Sequence, residues 1–240
     1  MLMVKTADVH VVYEDDDLLV VDKPGGMICH SAQRPDQPAL VHWIREHGVP
    51  TPRLVNRLDR ETSGLVVIAK NERAAKLLGK QVLRREIEKE YVGICWGEFK
   101  QDDGVVDLPI GITKDSVVNT KRVIDPTGKP SVTEFAVEKR LHGFTVVRLR
   151  PRTGRAHQLR LHMASLGHPI VGDKIYGPDE RLYLRFIEEG VTPDMLEKLL
   201  LPRHALHAAR VAFRHPRSQQ PCEFVAPLPD DMQTFIAERS

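Results

Sequence analysis

The spacing of the β-prone runs constrains this chain more than any other feature. Val9–Tyr13, Leu18–Val21, Leu65–Ala69, Glu90–Trp96, Val132–Val137, Phe144–Leu149, Ala208–Phe213 and Glu223–Ala226 all carry alternating or continuous apolar residues. No helical pattern falls regularly between them. A doubly wound parallel sheet needs that alternation, so the pattern selects an α+β fold built on a mixed sheet. Helices are expected at Pro38–His47, opened by Asp36 and Pro38 and stopped by Gly48, and at Glu72–Arg84, capped by Asn71. In the second of these, Ala74, Leu77, Leu78 and Val82 form one apolar stripe. Further helices are expected at Arg155–Leu166, ending at Gly167, at Asp230–Glu238, and at Glu180–Leu200 in two pieces broken by Gly190 and Pro193.

The chain reads as a single catalytic domain, residues 1–240, in two halves joined near 100–130, with a helical insertion near 175–203. Lys100–Pro130, rich in Gly, Pro and Asp, is compatible with a linker or with an excursion from one continuous sheet. Hydrophobic residues at 41% and charged residues at 28% exclude disordered, collagenous and coiled-coil classes. Cys29, Cys95 and Cys222 are odd in number and widely spaced, which gives neither a disulfide framework nor a zinc knuckle and suits a reducing compartment. Glu14-Asp15-Asp16-Asp17 stands where a signal peptide needs an apolar core, and no apolar run approaches the roughly 20 residues of a membrane span. A cytoplasmic location is expected.

A net charge of +2 conceals an uneven arrangement. No acid occurs from Lys139 through Gly172, which includes Arg148, Arg150, Arg152, Arg155 and Arg160, nor from Lys198 to Cys222, which includes Arg203, Arg210, Arg214 and Arg217. Two readings fit: a surface for a polyanion, or solvated faces whose cations neutralise acids elsewhere in the fold.

Two clusters can carry chemistry. Asn56-Arg57-Leu58-Asp59-Arg60-Glu61-Thr62-Ser63-Gly64 sets a carboxylate between two arginines in a turn before the strand at Leu65–Ala69. Alone, it would be an ordinary surface turn with an Asp–Arg pair. Arg152-Thr153-Gly154-Arg155-Ala156-His157-Gln158-Leu159-Arg160 lies between a strand and a helix, where helix amides and arginines together suit phosphate. There His157 and Arg160 share a face, while Leu159, Met163 and Leu166 point to a core. Tyr91 shares a strand face with Gly93. His204 and His207, or His157 and His162, lack the cysteines or acids of a metal site. No phosphate-loop motif occurs, and Gly172-Asp173-Lys174 is too short to count as one.

The order of the motifs says more than any one of them. HVVYEDDDLLVVDKPGGMICH, LVNRLDRETSGLVVIAK, KEYVGICWG, Lys129–Glu134, Arg152–Gly177 and ALHAARVAFRHP together resemble a pseudouridine synthase of the RluA type over nearly the whole chain. The resemblance implies a largely antiparallel central sheet with flanking helices and an RNA-binding cleft, and a reaction without cofactor or metal. It implies Asp59 as the catalytic carboxylate, Tyr91 as the active-site tyrosine and Arg160 as the basic partner of the aspartate. Arg57 matches the arginine that can fill the space of an extruded base, and Arg60, Arg152, Arg155 and His157 join it as RNA contacts. Asn56 departs from the family, which commonly has His there. No separate N-terminal RNA-binding domain of the kind found in many relatives is expected, and a monomer is expected. The implied substrate is a specific uridine in ribosomal or transfer RNA.

The chemistry suits these groups. Uracil must leave ribose through nitrogen, turn over and rejoin through carbon, so a nucleophile or base has to act on the sugar–uracil unit inside a pocket closed to water. One carboxylate permits attack on ribose, attack on the ring, or removal of a ribose proton. Under RNA it needs a cation to keep its charge, and Tyr91 can stack on uracil and move a proton. A stacked uridine must first be flipped out, at a few kcal/mol. Two alternatives remain: a non-catalytic RNA-binding module on the same scaffold, and an aspartate-nucleophile hydrolase, which would need a metal-binding acidic pair.

Overall fold

A computed structural model describes residues 9–30, 39–113 and 115–240. The expected helix start at Asp36 and Pro38 lies outside the described residues. All eight expected strands form, and every strand pair with an established register is antiparallel. The described residues divide into two compact units, one within Met3–Lys89 and Ala208–Pro227, the other within Glu90–His207 and Leu228–Ser240. The chain passes between them inside two strands, Glu88–Trp96 (β5) and Leu206–Arg214 (β11), and again between Pro227 and Leu228.

In the first unit the strands run in the order β1 (His10–Glu14), β2 (Leu18–Lys23), β4 (Ser63–Ala69) and β11, with β12 (Pro221–Val225) on β11 and the two-residue β3 (Arg53–Leu54) on β4. β4 is buried throughout and β2 nearly so, which explains why both read as continuous apolar runs rather than alternating ones. Leu18, Val20, Leu65 and Val67 meet Ala74 and Leu78 of helix α2 (Glu72–Leu83), which follows α1 (Leu40–Glu46) in the chain. Asn71 caps α2 by accepting the Ala74 N–H at 2.9 Å. The stripe on α2 is turned from the expected one: Val82 is exposed and Gln81 is buried. The cause is a polar demand, because the Gln81 carboxamide donates to Arg214 O at 2.8 Å and accepts the Arg214 N–H at 2.9 Å at the end of β11.

In the second unit β5 pairs with β10 (Phe144–Pro151), β10 with β9 (Val132–Leu141), and β9 with β6 (Asp103–Asp107). Lys100–Pro130 lies within this unit. Besides β6 it holds β7 (Ile110–Ile112) and β8 (Arg122–Ile124), which form a separate two-stranded sheet. Helix α3 (Gln158–Ser165) starts three residues later than expected, since the Gln158 side chain accepts the Arg155 N–H at 3.0 Å and the Thr153 hydroxyl at 2.8 Å and so holds 153–157 as a turn. α3 is buried from Gln158 to Met163, whereas Leu166, expected in the core, is exposed. Residues 175–203 supply α4 (Arg181–Glu189) and α5 (Pro193–Leu199), broken at Gly190 and Pro193 as expected, and α6 (Asp230–Ala237) ends the chain. Among the described residues no helix is long and apolar enough to cross a membrane.

Candidate active site

The Asp59 turn is held through the peptides on either side of it. On one side Leu58 donates its N–H to Cys29 Sγ at 3.4 Å, and the thiol donates to Leu58 O at 3.5 Å. Burial pushes the Cys29 thiol up, which keeps it protonated and able to donate. On the other side Arg60 O accepts the Gly26 N–H at 2.8 Å and Lys23 Nζ at 3.3 Å, while Arg60 Nε donates back to Gly26 O at 3.3 Å. Lys23 has no solvent exposure, and its ammonium also donates to Pro24 O at 2.8 Å and Met27 O at 2.9 Å. A buried ammonium survives only with such partners, so Lys23 gathers three carbonyls and ties the turn to the end of β2. Asp59 itself is half-buried, and its carbonyl accepts the Thr62 N–H at 3.2 Å.

The residues around the turn explain their own types. Gly64 has φ +110°, and a Cβ there would clash with the Ala208 backbone, so glycine lets β4 and β11 approach just beyond the turn. Asn56 donates from Nδ2 to Leu65 O at 3.0 Å and accepts the Val67 N–H at 2.9 Å. Its carboxamide thereby extends the backbone pairing of β4. Arg57 is exposed and has no hydrogen bond or ion pair among the described residues.

In the second unit Tyr91 lies on β5 opposite Leu149, buried on the face it shares with Gly93. Arg160 is buried as well, and it forms a two-pronged pair with Asp173, Nε to Oδ2 at 2.6 Å and NH2 to Oδ1 at 2.8 Å. Burial opposes ionisation of Asp173, but the Arg160 charge and hydrogen bonds, helped by the Tyr176 N–H, outweigh it and hold this carboxyl far below its ordinary range. His157 stands before α3 at φ +59° with Nδ1 3.1 Å from the Tyr176 hydroxyl. The Arg160 guanidinium lies 5.3 Å from the centre of the Tyr176 ring, so the shared face expected for His157 and Arg160 is a shared neighbour.

Much of the acid-free positive charge is matched across the fold. Arg148 pairs with Glu138 and Glu90, Arg150 with Glu90 at 2.7 Å, Arg152 with both Glu134 oxygens at 2.7 and 2.9 Å, and Arg203 with Asp231 at 2.7 Å. In the first unit Arg210 pairs with Glu88 and Glu223. These arginines thus neutralise acids distant in sequence, each exposed pair contributing about 0–1 kcal/mol. Arg155 donates from Nε to Pro130 O at 3.3 Å. Among the described residues no three His, Cys, Asp or Glu side chains converge as a metal-ligand set.

Sequence reasoning missed Asp173 and Tyr176. Gly172-Asp173-Lys174 reads from sequence only as a short phosphate loop, and the usable signal was an isolated acid directly after 34 acid-free residues running from Lys139 to Gly172 and including seven Lys and Arg.

A family profile described as RNA pseudouridylate synthase matches residues 17–165. An uncharacterized RNA pseudouridine synthase of Bacillus subtilis is 35% identical over 243 residues, covering 98% of this chain and 74% of that protein. The ribosomal large subunit pseudouridine synthase D of Vibrio vulnificus is 40% identical over 228 residues, covering 92% of this chain and 68% of that protein. Among solved structures, human RNA pseudouridylate synthase domain containing 1 superposes with a TM-score of 0.74 at 27% identity, covering 95% of this chain and 86% of that one. The profile spans both the Asp59 turn and the Arg160 helix, and the relatives extend the match over nearly the whole sequence. The chain therefore belongs to the RNA pseudouridylate synthases, enzymes that isomerise uridine in RNA to pseudouridine, and within them to the RluA type.

Proposed function

We propose that this enzyme isomerises uridines of large-subunit ribosomal RNA, as a monomeric catalytic domain in the cytoplasm, with Asp59 as its catalytic carboxylate. The ribosomal substrate is favoured over transfer RNA by the 40% identity to a ribosomal large subunit synthase. The observation that carries the role of Asp59 is its turn: a half-buried carboxylate whose two flanking peptides are locked by Cys29, Lys23 and Gly26. Fixing a reactive group before substrate arrives removes part of the entropic barrier to reaction. The clamp acts on the peptides, and the side chain is the group proposed to act on the sugar–uracil unit.

In this reading Tyr91 and Arg160 complete the chemistry, Tyr91 as a flat phenol beside the uracil and Arg160 as the cation that keeps the carboxylate charged under RNA. Arg57, exposed two residues before Asp59, occupies the gap left by the flipped nucleotide. Arg60, Arg152, Arg155 and His157 contact the RNA around it, Arg152 by exchanging Glu134 for phosphate. The test is to map pseudouridines in total RNA from cells with and without the gene. Loss of one or more sites in large-subunit ribosomal RNA is expected, whereas loss confined to transfer RNA would overturn the ribosomal assignment.

A further inference from the structure

We propose that Asp173 is a positioning residue for the isomerisation, fixing the Arg160 guanidinium relative to the strand that carries Tyr91. The inference rests on the reading of Arg160 as a participant in the reaction. It starts from the way Asp173 is held. Its Oδ1 accepts the Ile175 N–H at 2.9 Å and the Tyr176 N–H at 3.0 Å, in addition to Arg160 NH2, and Oδ2 accepts Arg160 Nε. Asp173 has no exposed surface and Arg160 is only 4% exposed.

The loop bearing Asp173 is itself attached to β5. The Trp96 N–H donates to Pro169 O and the Val171 N–H to Ile94 O, both at 2.9 Å, and Ile170 bridges Cys95. The Asp173 N–H then donates to Ile170 O at 3.2 Å. Gly172, at φ +79°, is wedged where a Cβ would clash with the Arg203 carbonyl, so the loop has little freedom to shift. A continuous line of hydrogen bonds thus runs from β5, three residues beyond Tyr91, through 169–173 to the guanidinium.

The chemical sense of the line is preorganisation. A free arginine side chain samples many rotamers, and a bound substrate would otherwise have to remove that freedom. A two-pronged carboxylate that is rigid in its own right removes it during folding. An ordinary buried ion pair would require no such tether to the strand of the active-site tyrosine.

The test compares full-length Asp173→Asn, Asp173→Glu and Arg160→Lys with wild type, reading kcat and KM on ribosomal RNA per folded molecule, with folding monitored by urea melts. Asp173→Glu keeps the charge and lengthens the arm by one methylene, so a purely stabilising pair would be restored by it, whereas positioning would not. Both Asp173 variants are expected to keep KM within threefold and to lose roughly ten- to a hundredfold in kcat. Asp173→Glu turnover equal to wild type, beside an impaired Arg160→Lys, would overturn the positioning role and leave the role of Arg160 standing. Unimpaired Arg160→Lys would remove the role of Arg160 and this inference together. In wild type, which needs no variant to fold, the Arg160 Nε proton should give a sharp, exchange-protected NMR signal before RNA is added. A signal averaged by side-chain motion would overturn the proposal.

Discussion

Asn56→Ala is the most informative perturbation of the turn that leads to Asp59. The carboxamide makes two hydrogen bonds to β4, at 3.0 Å to Leu65 O and 2.9 Å from Val67 N, both part-buried. Each such bond contributes about 0.5–1.5 kcal/mol net when water can replace the lost partner, so the pair amounts to about 1–3 kcal/mol. For a chain of this size each kcal/mol lowers Tm by about 2–4 °C, which puts the loss at about 2–12 °C. Urea unfolding with an unchanged slope m would assign the loss to the folded state rather than to the compactness of the unfolded one. Asn56→Asp sharpens the test. It keeps the acceptor for Val67 but aims a carboxylate at Leu65 O, and below about pH 4 protonation restores a donor. Its deficit relative to wild type at the same pH should therefore shrink in acid. An Asn56→Ala protein within 0.5 kcal/mol of wild type would refute the account of Asn56 as a structural extension of β4.

His162 and His204 are buried, and desolvation holds both below their ordinary value of 6.5, for His204 with added repulsion from Arg160. The unfolded chain therefore takes up protons first, and stability that is complete above pH 6.5 should fall on acidification by up to about 1.4 kcal/mol per pH unit for each histidine; urea melts that do not change between pH 7 and 5.5 would contradict this. Arg57→Ala should flatten the dependence of log K for RNA on log salt by about 0.7–0.9, whereas Arg210→Ala, whose guanidinium already faces Glu88 and Glu223, should leave it nearly unchanged. Filter binding across salt concentrations measures both, and equal effects would contradict the distinction between matched and unmatched arginines.

Strand positions were legible where side chains meet a core. The LLVV and LVVIA runs of β2 and β4 are buried on both faces and announce themselves by apolar continuity. β6, β7 and β8 were not legible, because Val106 and Ile110 are their only buried residues and three-residue strands are too short to establish a period. Helix starts failed for a related reason: the turn before α3 is set by the Gln158 side chain, and the buried face of α2 by Gln81 reaching the end of β11, and neither bond leaves a trace in hydrophobic periodicity. Asp59, Tyr91 and Arg160 are proposed from motif order, not from any property of a single residue. What supports them could not be found that way. Lys23 acts on backbone carbonyls, and Asp173 on a guanidinium 13 residues earlier in the chain, so the meaning of each depends on a fold that must be known first.

The central claim is chemical work by one carboxylate, and the direct measurement is tritium release from ribosomal RNA labelled at carbon 5 of uridine. Wild-type protein should release label and Asp59→Asn should fall to background, while both retain the same urea midpoint and bind the RNA with similar affinity. Folded Asp59→Asn protein that releases label at the wild-type rate would contradict the claim.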